Sequence, residues 1–180
     1  MSVPSFVTSI EQSGIGNWMR MSVKAMPIVE SIHVLTAALV FGTILIVDLR
    51  LLGLYDKNRA FTRVERELVP ITWAAFVVSA ITGVMMFAAN ATTYYGNTAF
   101  RLKMLALLVA GVNMAIFEFA TSRSVASWDR AAKAPTAARF AGAASIVIWL
   151  GVLFIARWIG FTKGYNYAIP AGLDLNQFLQ

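Results

Sequence analysis

The chain has 180 residues, of which 58% are apolar and only 13% charged, with a mean hydropathy of +0.67; a typical soluble domain has about 25% charged residues, so this is an integral membrane protein with room for one domain of four spans. The net charge of +6 is not a nucleic-acid footprint, because the positive residues fall mostly into two loops beside apolar segments, a pattern of membrane topology. With no cysteine in the chain, structural disulfides, thiolate metal sites, iron–sulfur clusters and haem attached through cysteine are all excluded.

Residues 1–26 form a first, short region. Val3, Phe6, Val7, Ile10, Ile15, Trp18 and Met19 recur at broadly helical spacing, with Gly14 and Gly16 interrupting a single helix. We read an amphipathic segment lying in the outer interface, with a loosely ordered tail as the alternative. It lacks the charged and apolar regions of a cleaved signal.

Residues 27–162 hold four apolar segments of the length needed to span a bilayer, about 20 residues each. They are expected near 28–54, 68–90, 101–121 and 137–160, and they predict an all-α, four-helix bundle. The loop 55–67 carries Lys57, Arg59, Arg63 and Arg66, and the loop 122–139 carries Arg123, Arg130, Lys133 and Arg139. The other side is poorer in positive charge. The positive-inside rule therefore puts these loops in the cytoplasm and both termini in the periplasm of a bacterial inner membrane. Residues 163–180 are read as a polar, aromatic periplasmic tail suited to the headgroup region or to a partner subunit.

Small residues at four-residue spacing mark faces for close helix approach: Ala38 and Gly42, then Ala75, Ser79 and Gly83, then Ala138 with Gly142 and Ala141 with Ser145. Such faces serve packing within one chain or a homo-oligomer. Trp73, Trp149 and Trp158 with Tyr94, Tyr95, Tyr165 and Tyr167 mostly fall at span ends, where amphipathic rings settle at the headgroups; Trp149 is mid-span.

The first span contains the chain's one histidine, His33. A polar ring kept in a span faces the protein interior and has a partner there. Glu30 precedes it by three residues on the same helix face, in reach of the imidazole, Lys103 or Arg101. Lys103, near the outer start of the third span, shares its leaflet and can alternatively snorkel to the headgroups. Zinc or copper needs three or four protein donors, which one histidine and scattered carboxylates do not supply. Haem b brings four nitrogens and needs one or two axial ligands: His33, with Lys103, Met85, Met86, Met104 or water opposite. Arg101 and Arg157, both expected at the outer interface, suit propionates. The competing reading is a bundle histidine that hydrogen-bonds a neighbouring helix.

At the inner side, Asp48, Arg50, Glu118, Arg123 and Arg139 form a second polar set. Ion pairs of Asp48 with Arg139 or of Arg50 with Glu118 are expected to fix helix ends, with a proton or quinone site as the alternative. No P-loop, dinucleotide fingerprint, nucleophile elbow or metalloprotease motif is present.

The run Val29-Glu-Ser-Ile-His-Val-Leu-Thr-Ala-Ala-Leu-Val-Phe-Gly-Thr-Ile-Leu45, followed by Asp48-Leu-Arg-Leu-Leu-Gly53 and Ala99-Phe-Arg-Leu-Lys-Met-Leu-Ala-Leu-Leu108, resembles an uncharacterised family of bacterial four-span membrane proteins over nearly the whole chain. More distantly, a first-span histidine followed some nine residues later by glycine, together with a third-span Leu-Lys, is similar to the HemJ-type protoporphyrinogen oxidases and to the copper-resistance D membrane domain. The HemJ resemblance implies a b-type haem at His33 and Lys103. The chain departs from HemJ in the surrounding motifs and lacks its further histidines. The expected function is electron transfer at the periplasmic side, from a donor such as quinol to a redox partner or within a larger membrane complex. A HemJ-like porphyrinogen oxidase and a non-enzymatic accessory or scaffold subunit are the alternatives.

Overall fold

A computed structural model describes residues 3–56, 58–117, 119, 124–131 and 133–162. Among them the chain folds into helices only: α1 (Ser5–Glu11), α2 (Gly14–Met21), α3 (Ala25–Leu51), α4 (Phe61–Ala89), α5 (Ala91–Gly96), α6 (Thr98–Ile116), α7 (Val125–Trp128) and α8 (Thr136–Thr162). The helices α3, α4, α6 and α8 are each long and apolar enough to cross a membrane. A helix satisfies its own backbone polar groups, which lipid cannot do. Large apolar side chains such as Leu35, Leu108 and Phe154 are exposed along these helices, the surface expected of a multi-pass protein in contact with a bilayer. The tail beyond Thr162, with Lys163, Tyr165 and Tyr167, lies outside the described residues, as do Lys57, Glu118 and Arg123.

The helix ends differ from the expected ones for identifiable reasons. The first span stops at Leu51 because Gly53 adopts a positive φ of 70°. There the Leu54 N–H donates to the Leu49 carbonyl at 2.9 Å and the Gly53 N–H to the Arg50 carbonyl at 3.1 Å, the paired bonds of a Schellman stop. The second long helix starts at Phe61, well ahead of its apolar stretch, because Asp129 caps it from another loop. The Asp129 carbonyl accepts from the Phe61 N–H at 2.9 Å, and its carboxylate accepts from the Thr62 N–H and hydroxyl at 2.8 and 3.1 Å. The third begins at Thr98, where the Asn97 side chain accepts from the Phe100 N–H at 3.0 Å.

Two antiparallel hairpins make the bundle: α3 lies along α4, and α6 along α8. The hairpins meet where α3 touches α8, near the C-terminal end of α3. A Cβ on Gly142 would come within 3.3 Å of the Asp48 carbonyl and of Leu51 Cβ, so the absence of a side chain there permits the crossing. Ala138, Ala141 and Ser145 on the same helix are buried, as the small-residue pattern predicts. Ala38 is exposed and Gly42 has open space around its missing Cβ, so that pair makes no close contact within the chain. Between α6 and either α3 or α4 there is no comparable approach among the described residues.

The N-terminal region is two short helices rather than one segment, α2 being capped by Ser13 Oγ, which accepts from the Gly16 N–H at 3.2 Å. They lie across the ends of α3, α4 and α5. Gly16 sits so tightly that a Cβ would be 2.7 Å from the Ala88 carbonyl. Arg20 donates to the Ala89 carbonyl at 2.9 Å, and the Glu11 carboxylate accepts from both the N–H and the hydroxyl of Thr92 at 2.7 Å. Phe6, Ile15 and Trp18 remain exposed, the apolar side an interfacial helix offers to lipid.

At the opposite end the loops have a core of their own. Leu51, Phe61, Val125, Trp128, Ala134 and Ala138 cluster there. Below them Arg50 is fully buried. Its Nε and Nη2 donate to the Arg59 carbonyl at 3.0 and 2.8 Å, and Nη2 also reaches the Asp129 and Ala131 carbonyls at 3.3 and 3.2 Å. The expected partner Glu118 lies outside the described residues; among those described, Arg50 is held on loop backbone through Nε and Nη2, while its Nη1 is buried without a hydrogen-bond partner. The expected Asp48–Arg139 ion pair does not form, Arg139 being exposed.

Two outcomes follow. Replacing Arg50 with Met leaves buried carbonyls without donors, at about 1–3 kcal/mol each, so the melting temperature in detergent falls sharply, whereas Arg63→Met in an exposed ion pair barely moves it. An Arg50→Met protein of unchanged stability contradicts the clamp. For Glu11, burial pushes the pKa up, but the two Thr92 bonds and the Arg20 charge outweigh it and hold the carboxyl below the usual value. A depressed folded-state pKa means that the stabilisation is present above the unfolded value and lost as pH falls through the folded one. Amide protection factors at Thr92 and in residues 5–21, taken relative to the intrinsic exchange rate at each pH, should therefore fall on acidification, and Glu11→Gln should abolish that dependence.

Candidate functional site

The apolar run of α3 places His33 eight residues past its start, about 12 Å along the axis at 1.5 Å per residue. Because α3 begins earlier than expected, the ring lies about one turn deeper than the sequence indicates. It is half-buried, and it faces α4. Its Nδ1 is 2.9 Å from the Ser79 carbonyl oxygen and 3.1 Å from Thr82 Oγ1. The small-residue face of α4 makes this possible: a Cβ on Gly83 would stand 3.1 Å from His33 Cε1, closer than the ring tolerates without shifting. Thr82 Oγ1 is itself 2.8 Å from the Val78 carbonyl and 3.0 Å from the Ser79 carbonyl, so its proton is directed back along its own helix and its lone pairs are open to the ring.

These contacts define the tautomer. A carbonyl oxygen only accepts, so Nδ1 carries the proton that binds Ser79. In the neutral ring Nε2 then holds the lone pair. Nε2 has no hydrogen bond among the described residues. An imidazole with N–H on a backbone carbonyl and the other nitrogen open is the arrangement in which metal-binding histidines are oriented and made more basic. It equally satisfies the one donor of a neutral histidine.

Lys103 lies on α6, five residues past Thr98 and about 8 Å along, again deeper than expected. It is half-buried and makes no ion pair or hydrogen bond among the described residues. Its charge nevertheless acts on His33, so the two residues singled out from different spans are electrostatic neighbours. Glu30 also acts on His33 through its charge, but it is exposed and makes no ion pair with Lys103 or Arg101. It borders a shallow groove on α3 with Pro27, Ser31, Val34 and Leu35.

The two arginines sit at the same end of the bundle and are exposed. The Arg101 Nε donates to the Tyr95 carbonyl at 2.9 Å, and its guanidinium lies 5.3 Å from the Tyr95 ring centre. Arg157 stands 5.3 Å from the Phe161 ring centre. Of the methionines, Met85 and Met86 pack against the cluster of Met19, Ala25, Val29 and Ala89 under α2, and Met104 is exposed. Trp149 is half-buried on α8. Among the described residues no three His, Asp or Glu side chains converge on a metal-sized site.

His33 and Lys103 are conspicuous in the sequence, whereas the surroundings of the ring are not. Ser79 and Gly83 stood out only as packing residues, and Thr82 was not singled out at all; their joint relation to a histidine 46 to 50 residues away appears only once α3 and α4 are paired. Asp129 and Trp128 also went unnoticed, although an aspartate and a tryptophan in an otherwise basic loop are a signal of burial and capping.

A family model described as a family of unknown function (DUF6644) matches residues 11–162, and the chain belongs to that family. No curated protein and no solved structure matches it.

The tautomer is measurable. With histidine 15N-labelled, His33 should report the Nδ1–H form in detergent at neutral pH; an Nε2–H form would remove the basis for an open Nε2. Gly83→Leu should break the Nδ1 bond, seen as loss of the downfield N–H signal.

Proposed function

We propose that the chain is a b-type haem protein of the bacterial inner membrane, with His33 as axial ligand and electron transfer at the periplasmic side as its function. The observation that carries this reading is the His33 ring itself, whose Nδ1 is committed to the Ser79 carbonyl while Nε2 has no hydrogen bond among the described residues. Lys103 supports it: an amine within a span, without a partner among the described residues and close enough to act on His33, is suited to be the second ligand or to meet a propionate. Arg101 and Arg157, at the same end, are the further cations for propionates. Haem would supply one-electron chemistry at its iron. The protein's part is to fix the ring through Ser79, Thr82 and Gly83, and to keep water from it by the apolar walls of α3 and α4. A quinol donor and a redox partner, or a place within a larger complex, complete the proposal.

The placement of both termini in the periplasm rests on the basic loops 55–67 and 122–139. A HemJ-like porphyrinogen oxidase rests on the resemblance at His33 and Lys103 alone. The scaffold reading has an observation in its favour, since the bond to Ser79 is sufficient by itself to satisfy a neutral histidine.

Purification from haem-replete membranes decides between them. The expected protein is red, with a Soret band that His33→Ala abolishes while helicity is retained, and with a spectrum that Lys103→Met alters. A colourless wild-type protein overturns the haem reading and leaves the scaffold.

A further inference from the structure

The α3 helix carries another ionisable side chain of a different kind, fifteen residues and about 22 Å beyond His33. Asp48 is 5% exposed and held between α3 and α8. Among the described residues the Ser145 hydroxyl is the side chain that hydrogen-bonds it, and Oδ2 is buried without any partner. The charged residues of the helices packed against α3 at this end do not neutralise it. Arg50, two residues on, donates to loop carbonyls through Nε and Nη2; its Nη1 is also buried without a hydrogen-bond partner, and it forms no ion pair with Asp48. On α4, Arg63 pairs with Glu67, and Arg66 forms no ion pair with Asp48; on α8, Arg139 is exposed and unpaired with it. The Asn113 amide of α6 donates instead to the Ala141 carbonyl at 3.2 Å.

An ionised carboxylate so placed is a poor fit. Burying an unpaired anion costs far more than burying the neutral acid, and Asp48 lies in the last turn of α3, where the helix dipole opposes negative charge. A neutral acid instead has one oxygen for Ser145 and one to carry hydrogen. Ionisable residues kept inside spans commonly mark proton or ion pathways. We propose that Asp48 is a proton-binding site, a carboxyl that holds its proton between α3 and α8 and exchanges it with the aqueous phase at the loop end of the bundle. This proposal does not depend on haem at His33.

Infrared spectroscopy of the full-length protein in nanodiscs tests it. At neutral pH and low sodium the wild type should show the C=O stretch of a protonated carboxylic acid, shifted down in D2O. Asp48→Asn should lose that band, and Asp48→Glu, which keeps the carboxyl should the asparagine variant fail to fold, should move it. Spectra in which neither substitution changes this region show an ionised Asp48 and overturn the proposal. A band unmoved by D2O overturns exchange, and a band erased by sodium chloride at constant pH shows a cation site instead.

Discussion

The hydrogen bond from the His33 ring to the Ser79 carbonyl, 2.9 Å long, is the interaction on which the reading of this protein depends. Lipid offers no partner for an imidazole, so the ring must find one inside the bundle. The helix that provides it is α4, whose face at Ala75, Ser79 and Gly83 lets the ring come close. A carbonyl can only accept, and this one fact of chemistry determines where the proton is and which nitrogen is left for a ligand. The bond thus pairs two helices and sets the chemistry of the site at once.

The same constraint organises the rest of α3. Along its 27 residues the three titratable side chains that are not exposed have three different solutions: His33 bonds a neighbouring helix, Arg50 bonds the backbone of two loops, and Asp48 has, among the described residues, the Ser145 hydroxyl. The loop clamp of Arg50 and the cap of Asp129 hold the end where α3 meets α8, while the N-terminal helices cover the other end through Glu11, Thr92 and Arg20. Both ends are therefore tied by polar contacts to backbone, and the apolar lengths between them are free to face lipid. The hairpin of α3 and α4 and that of α6 and α8 touch at the Asp48 end, and Lys103 belongs to the second hairpin while His33 belongs to the first. Their electrostatic coupling spans the division between the two.

Much of this architecture is legible in the sequence. Four long apolar runs give four spans, and the glycine at position 53 and the asparagine at 97 account for ends placed a few residues away from the apolar boundaries. Small-residue spacing correctly marks the α4 face at Ser79 and the α8 face at Gly142, yet the identical pattern at Ala38 and Gly42 faces no neighbour. The difference is tertiary: spacing says that a helix can approach closely, not that another helix is there. His33 is conspicuous because it is a solitary polar ring in a span, whereas Thr82 is inconspicuous because threonine is ordinary in membrane helices and acquires meaning only opposite a histidine. Arg50 is hard to read for a related reason: charge suggests a countercharge, but a guanidinium presents several directed donors, and loop carbonyls brought together by chain reversal accept from its Nε and Nη2.

Under the proposed haem reading, His33 would meet iron through Nε2 while its Nδ1–H stays on Ser79. Since histidine occurs once in the chain, labelling histidine with 15N labels one residue, and pulsed electron paramagnetic resonance of the oxidised, haem-bearing protein reads its nitrogens separately. The account predicts strong coupling to one directly bound nitrogen and weak coupling to a remote, protonated nitrogen of the same ring. A paramagnetic centre without coupling to labelled histidine, or with two bound histidine nitrogens drawn from two chains, contradicts it.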